Sequence, residues 1–377
     1  MATEDQDPST SNLLDRVMQS QQSETLEHFD AIDTVNNLLK LLSNKEADVL
    51  RRRYGLGPAD PETLEVIGQS YKVTRERVRQ IQHWSIQRLK KSPQTAQLLH
   101  GLVVVLQQLL ETHGNLMLEE ELLARLQGAS GESRTKKAAV NFLLEQLLDD
   151  KVVRVDSADY KTFWKLKFAS LNLLEPVIKA AADILTKVGK PVPMNELINQ
   201  LASNDFIRQQ ADNLNEQILT SYLQVAKTVD RNPFGEVGMR SWGTIVPKRM
   251  HDKILLVMRK HGKPMHFQEI AQRINEIGFD HRQAYPPTVH NELILNQEYV
   301  LVGRGIYALK EWGYKPGVVA EVIVDTLKSA GQPLSREEIV ERVLQQRQVK
   351  KNTIYLALTN KQRFVRQADG RYALANV

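Results

Sequence analysis

The chain has 377 residues and no cysteine, with 42% hydrophobic and 25% charged side chains. That length is too great for one ordinary core, so several domains are expected. The missing thiols exclude disulfide scaffolds, thiolate zinc sites, iron–sulfur clusters and cysteine nucleophiles, and they fit a reducing, cytoplasmic address. The longest apolar run, Leu98–Leu110, is broken by His100, Gly101 and two glutamines and is too short to span a bilayer. The N-terminus is acidic where a signal peptide would be cationic and then apolar.

Net charge is +5, but its placement matters more than its size. Residues 1–40 carry −6, whereas the 51 residues 41–91 carry +5. A second excess lies between 345 and 371, where Arg347, Lys350, Lys351, Lys361, Arg363, Arg366 and Arg371 face only Asp369. Two separated basic segments point to an anionic polymer more readily than to a small-molecule substrate.

Residues 1–24, rich in Ser, Gln, Asp and Glu, are expected to form a mobile tail. The basic window follows. Ser43 and Glu46 have the spacing of a capping box, which starts a helix running through Arg51-Arg-Arg-Tyr54 toward Gly55. Farther on, Ile67, Tyr71, Val73, Val78 and Ile81 have the spacing of apolar residues that pack two helices across a tight turn. Gly68 offers no side chain where those helices cross closest. This pattern predicts a helix-turn-helix. Thr74 is placed to cap the second helix, whose first turns display Arg75, Glu76, Arg77, Arg79 and Gln80. Arginine and glutamine can make bidentate contacts with guanine and adenine edges, and glutamate can accept from a cytosine amine. This helix start is therefore equipped to read a major groove. Thr74, Arg77, Arg88, Lys90 and Lys91 are candidate phosphate contacts.

These residues resemble the promoter-reading C-terminal domain, region 4, of bacterial primary sigma factors. The resemblance covers about residues 35–92 and is closest over Val73–Ile81, with Arg51–Leu56 matching the first helix and its exit. It implies major-groove recognition of the promoter element at −35, with Arg75, Glu76, Arg79 and Gln80 as base-edge or groove-edge contacts, and association with RNA polymerase. The sequence departs from the family at Lys72, where an acid is common, and at Gln82-His83-Trp84. Only about 35 residues precede the match, so the promoter-opening machinery of a complete sigma factor is not expected here.

Beyond residue 92 the chain repeats itself. Glycines at 114, 189, 262 and 331, spaced 75, 73 and 69 residues apart, each follow an apolar helix and precede a helix bearing acids. A third helix follows, and then a β-prone pair: Val152–Val155 with Thr162–Leu166, 227–231 with 237–242, Tyr299–Val302 with Ile306–Leu309, and Phe364–Arg366 with Arg371–Leu374. Three helices and a two-strand wing describe a winged-helix module. The expected modules are 98–167, 172–246, 248–313 and 316–377, separately folded and cut by protease near 92–97, 167–171, 244–249 and 313–317. Pro286 and Pro287 start one third helix, and Ser335 with Glu338 forms another capping box. Gly238–Trp242, Gly262–Ile270 and Tyr307–Trp312 resemble the HARE-type winged-helix domain of the delta subunit of some bacterial RNA polymerases. In the last module Lys350, Lys351, Asn352 and Tyr355 are a possible second nucleic-acid contact.

The histidines lack the helix-face pairing and the thiolate partners of metal sites. Gly303-Arg-Gly305 lacks the rest of a phosphate loop, and no nucleophile elbow or catalytic carboxylate pair is present. The expected protein is mainly α, not an enzyme and without cofactor, metal, small-molecule substrate or membrane partner. A helix-turn-helix domain precedes four winged-helix modules, with promoter DNA and RNA polymerase or another transcription component as partners. The alternative is a polymerase-binding adaptor that uses the helix-turn-helix as a protein-docking surface.

Overall fold

A computed structural model describes residues 29–127, 133–314, 319–346 and 350–375. The expected tail at 1–24, and Arg347 of the second basic segment, lie outside the described residues. The chain divides into two compact units between Asp230 and Arg231. As expected the protein is mainly α, with short strands.

In the first unit, α1 (Ala31–Leu39) is capped by the Asp30 carboxylate. Helix α2 (Asn44–Tyr54) begins in the Ser43–Glu46 capping box and ends at Gly55 in the left-handed conformation. Helices α3 (Leu64–Tyr71) and α4 (Arg75–Lys91) follow. Only Ser92 separates α4 from α5 (Pro93–Thr112), the first helix of the repeats. The stripe Ala31, Val35, Leu38 and Leu39 on α1 is buried with Leu50, Ile86 and Leu89 and with Leu99, Leu102, Leu106, Phe142 and Trp164 in one hydrophobic cluster. The joint expected at 92–97 is therefore packed, because the helices on either side of it share a core.

The first repeat continues with β1 (Leu116–Leu118), α6 (Glu119–Gln127) and α7 (Arg134–Phe142), the last running into one π-helical turn at Leu143–Leu147. Strands β2 (Val152–Val155) and β3 (Phe163–Leu166) close it. The sheet has three strands, not the expected two. The order is β1-β3-β2, with Met117 opposite Trp164 and Arg154 also opposite Trp164. A three-residue strand is too short for alternation to be read from sequence, and β1 forms because β3 offers it an edge.

The second repeat begins with α8 (Leu174–Val188), β4 (Val192–Pro193) and α9 (Met194–Ala202). It then inserts an unexpected short helix, α10 (Asp205–Gln209), before α11 (Glu216–Val225). Strand β5 (Val229–Arg231) is tied to the first repeat by Lys161 Nζ on Asp230, 2.9 Å. Strand β6 (Glu236–Met239), which belongs to the second unit, stops short of the expected Trp242, which lies in the following turn against Gly238.

In the second unit the third repeat comprises α12 (Met250–His261), β7 (Met265–His266), α13 (Phe267–Ile277), α14 (Pro286–Leu295), β8 (Tyr299–Gly303) and β9 (Ile306–Leu309). Its sheet order, β7-β9-β8, is that of the first repeat. The fourth has α15 (Val319–Ala330), α16 (Arg336–Gln346), α17 (Lys351–Leu358), β10 (Phe364–Arg366) and β11 (Tyr372–Leu374). A bridge from Leu334 to Tyr372 stands where the other copies place their first strand. Ile323, Ile339, Val343, Ile354 and Phe364 form a core belonging to this copy alone. The four repeat glycines all have positive φ, from 64° to 76°, which explains their regular spacing: each ends a helix where a side chain would strain the backbone. Among the described residues no helix is long and apolar enough to cross a membrane.

Candidate nucleic-acid interface

Helices α3 and α4 are joined by Lys72, Val73 and Thr74. Lys72 takes the left-handed conformation, φ 55°, and lets the chain reverse. A Cβ on Gly68 would lie 2.8 Å from the Val73 carbonyl oxygen, so the glycine is required by the close approach of the turn. Val78 and Ile67 are buried with Val49 of α2, and Leu64, Tyr71, Val73 and Ile81 pack around them. The sequence pattern contained every member of this small core except Leu64, at the start of α3, and Val49, whose own helix carries a strong polar face.

The Thr74 hydroxyl accepts from the Arg77 backbone amide at 3.2 Å and holds the first turn of α4 open. Arg75, Glu76, Arg77 and Arg79 are exposed there, and Gln80 is half-buried. The side chains are already ordered among themselves. Arg79 donates twice to the Glu76 carboxylate, both at 2.8 Å, and Arg77 donates to Gln80 Oε1 at 3.1 Å. Hydrogen bonds from Arg79 hold the Glu76 carboxyl below the usual carboxylate range, so both charges are present in the free protein. The Arg77 guanidinium also lies 5.4 Å from the ring of Trp84, a large apolar side chain that is 56% exposed.

The expected phosphate contacts divide. Arg88, largely exposed, lies 3.4 Å from Glu46, and Lys91 is exposed at the helix end. Lys90 turns the other way and pairs with Asp149 of the first repeat at 2.5 Å. Gln82, at the site of departure from the resembling family, donates to the Tyr54 hydroxyl at 2.7 Å. That hydroxyl in turn donates to Gln146 at 3.0 Å. Tyr54 also packs against Phe142, ring centroids 5.0 Å apart. Arg134 of α7 pairs with Asp60 and donates to the Pro58 carbonyl. The first two turns of α4 thus present their charged side chains to solvent, while farther along it Ile86, Leu89 and Lys90 meet the first repeat. That repeat-facing network was not foreseen, because the pairs that reach the first repeat lie 59 or more residues apart in sequence.

In the second unit, Lys350 stands at the N-cap of α17, with Lys351 and Asn352 exposed in its first turn. The Arg336 guanidinium lies 3.5 Å from the centre of the Tyr355 ring. Among the described residues no three His, Asp or Glu side chains gather as a metal site. His113, the most deeply buried of the described histidines, is a packing residue. Its Nδ1 lies 2.6 Å from the Leu109 carbonyl and its Nε2 3.0 Å from Gln217, and burial pushes its pKa down.

Residues 38–91 match the model of the Sigma-70, region 4 family. The same region is similar to three cyanobacterial proteins. It is 48% identical over 58 residues to an RNA polymerase sigma factor SigA of Microcystis aeruginosa and to one of Synechocystis, and 47% identical to a SigA1 of Synechococcus elongatus. Each match covers 15% of this chain and 14% of the relative. Residues 38–91 are a Sigma-70 region 4 helix-turn-helix domain, and the chain spans about one seventh of the relatives it matches.

Proposed function

We propose that this protein is a sequence-specific DNA-binding transcription factor. Its α4 enters the major groove of a promoter element like that at −35, and the protein associates with RNA polymerase. The observation that carries this reading is the solvent-facing start of α4: a capped turn presents Arg75, Glu76, Arg77, Arg79 and Gln80 together, next to the buried apolar contacts that fix the helix pair. Arg75, Glu76, Arg79 and Gln80 meet base edges, while Thr74, Arg77, Arg88 and Lys91 meet phosphates. Lys90 is the weakest member of the phosphate set, since Asp149 already balances its charge. The Glu76–Arg79 pair keeps the guanidinium extended before binding, and on binding it exchanges one or both of its hydrogen bonds for base acceptors. The repeated helix, strand, helix, helix and hairpin units are read as winged-helix modules of the HARE type that dock on polymerase or another transcription component.

Arg79→Ala in the full chain should cost about 1–3 kcal/mol on the preferred duplex and relax base choice at one or two positions. Fluorescence anisotropy with a −35-like hexamer duplex and a scrambled duplex measures both. Equal affinity of the unaltered protein for the two would sink the reading.

A further inference from the structure

The fourth repeat carries a concentration of positive charge that reading by α4 does not use. Its α17 is eight residues long, about 12 Å at 1.5 Å per residue. Lys350 and Lys351 are exposed at its start, and Lys361 and Arg363 are exposed in the turn that immediately follows it. Arg363 is fixed there by its backbone amide, which donates to the Asn360 carbonyl at 3.1 Å. Cations thus flank both ends of a helix whose length is close to the ~12 Å width of the major groove of a B-form duplex. Between them Asn352 is exposed, and Tyr355 is held in place by Arg336 stacked on its ring at 3.5 Å. Arg366 on β10 is exposed as well. The acids of α16 are partly committed elsewhere: Glu338 accepts from the Ser335 amide at 2.7 Å and lies in the field of Arg342 and Arg371. Ile354 and Leu358 of α17 are buried in this repeat's own core, whereas Lys351, Asn352 and Leu356 are exposed, so that side is the one left for a partner.

We propose that α17 and the turn after it form a second duplex-DNA site, one that grips phosphates on both sides of a major groove. The chain then holds two duplexes, or two segments of one, at the same time. One belongs to α4 and is chosen by sequence; the other belongs to α17 and is bound with little sequence preference. Joining the two sites in one chain raises the local concentration of the second duplex once the first is bound. Bridging rests on the promoter-reading function proposed above, whereas the α17 site itself does not.

The test uses the full chain, a −35-like duplex fixed to beads and a second, fluorescent duplex of unrelated sequence. Wild-type protein should capture the fluorescent duplex on the beads. The triple variant Lys350→Ala, Lys351→Ala, Arg363→Ala should stay on the beads yet capture at least tenfold less. In free solution its affinity for the unrelated duplex should fall with salt less steeply, by about 0.9 in the log–log slope for each phosphate contact removed. The charge-conserving variant Lys350→Arg, Lys351→Arg should keep capture, and unchanged circular dichroism of the triple variant would show that the fold persists. Undiminished capture by the triple variant would overturn the proposal and point to bridging by self-association through α4. Retention of wild type on the beads without capture would overturn it equally. Failure of the promoter reading has a different signature: no preference for the fixed duplex, with binding to the unrelated duplex still sensitive to Lys350, Lys351 and Arg363.

Discussion

The two regions read here as DNA-binding are built on opposite plans. The fourth repeat buries Ile323, Ile339, Val343, Ile354 and Phe364 among its own helices and strands. The region 4 domain has only a small core of its own around Val49, Ile67 and Val78. The apolar stripe of α1, together with Leu50, Ile86 and Leu89, is buried in a cluster completed by the first repeat. A family match marks where a function's residues lie, not where the folding unit ends. Here the matched segment begins at residue 38, inside α1, while the core it depends on extends to Trp164.

Cutting the region 4 domain from the first repeat should give the largest effect. A fragment of residues 29–91 would leave α1 without the helices of the first repeat that bury Ala31, Val35, Leu38 and Leu39. At roughly 1.5–3 kcal/mol for each large side chain returned to water, α1 should unfold, and the remainder should lose cooperative melting. Fragment 29–167 should melt in one transition, and fragment 319–375 should do so at its own temperature. Circular dichroism on the three fragments decides the matter, and a cooperative melt of 29–91 with α1 helical would contradict the shared core. For the same reason limited proteolysis should spare residues 92–97.

A smaller loss is expected inside the turn. Gly68→Ala adds a methyl group 2.8 Å from the Val73 carbonyl oxygen, and neither backbone can easily yield. The cost should be about 1–3 kcal/mol in urea unfolding, with loss of duplex preference as α4 is displaced. An unchanged midpoint would mean that the turn has room to relax.

Much of this turn was legible in the sequence. Ile67, Tyr71, Val73, Val78 and Ile81, the Thr74 cap and the small residue at 68 each obey a local rule, and local rules are what sequence spacing records. The repeat glycines were legible for the same reason, since a left-handed helix end strongly favours glycine. What escaped were features set by distant partners. Strand β1 exists because β3 lies beside it, and Gln82 reaches Tyr54 and Gln146 because the first repeat folds back over α4. The charges of Lys90 and Lys91 look alike in sequence, and only packing separates them.

His113 offers a milder probe of the same unit, because it joins α5 to Gln217 of the second repeat. Burial lowers its folded pKa, so the unfolded chain takes up a proton first as pH falls. Stability should be fully present above about pH 6.5 and decline below it until the buried ring is itself protonated. His113→Gln should flatten that part of the urea-unfolding profile, and an unaltered slope would assign the pH dependence to other groups.

The smallest effect lies at the end of α4, where two neighbouring lysines face different ways. Lys90 is about one quarter exposed and pairs with Asp149, so Lys90→Ala should lower stability by about 0–1 kcal/mol and leave the salt dependence of duplex binding unchanged. Lys91, exposed beside it, should behave conversely. Lys91→Ala should leave the urea midpoint in place and weaken every duplex about equally, with a log–log salt slope shallower by about 0.9. Measuring both variants against both readouts separates a cation that holds the first repeat from one that meets phosphate. If Lys90→Ala also lowers the salt slope, Asp149 releases the lysine when DNA binds, and the contact between region 4 and the first repeat changes with it.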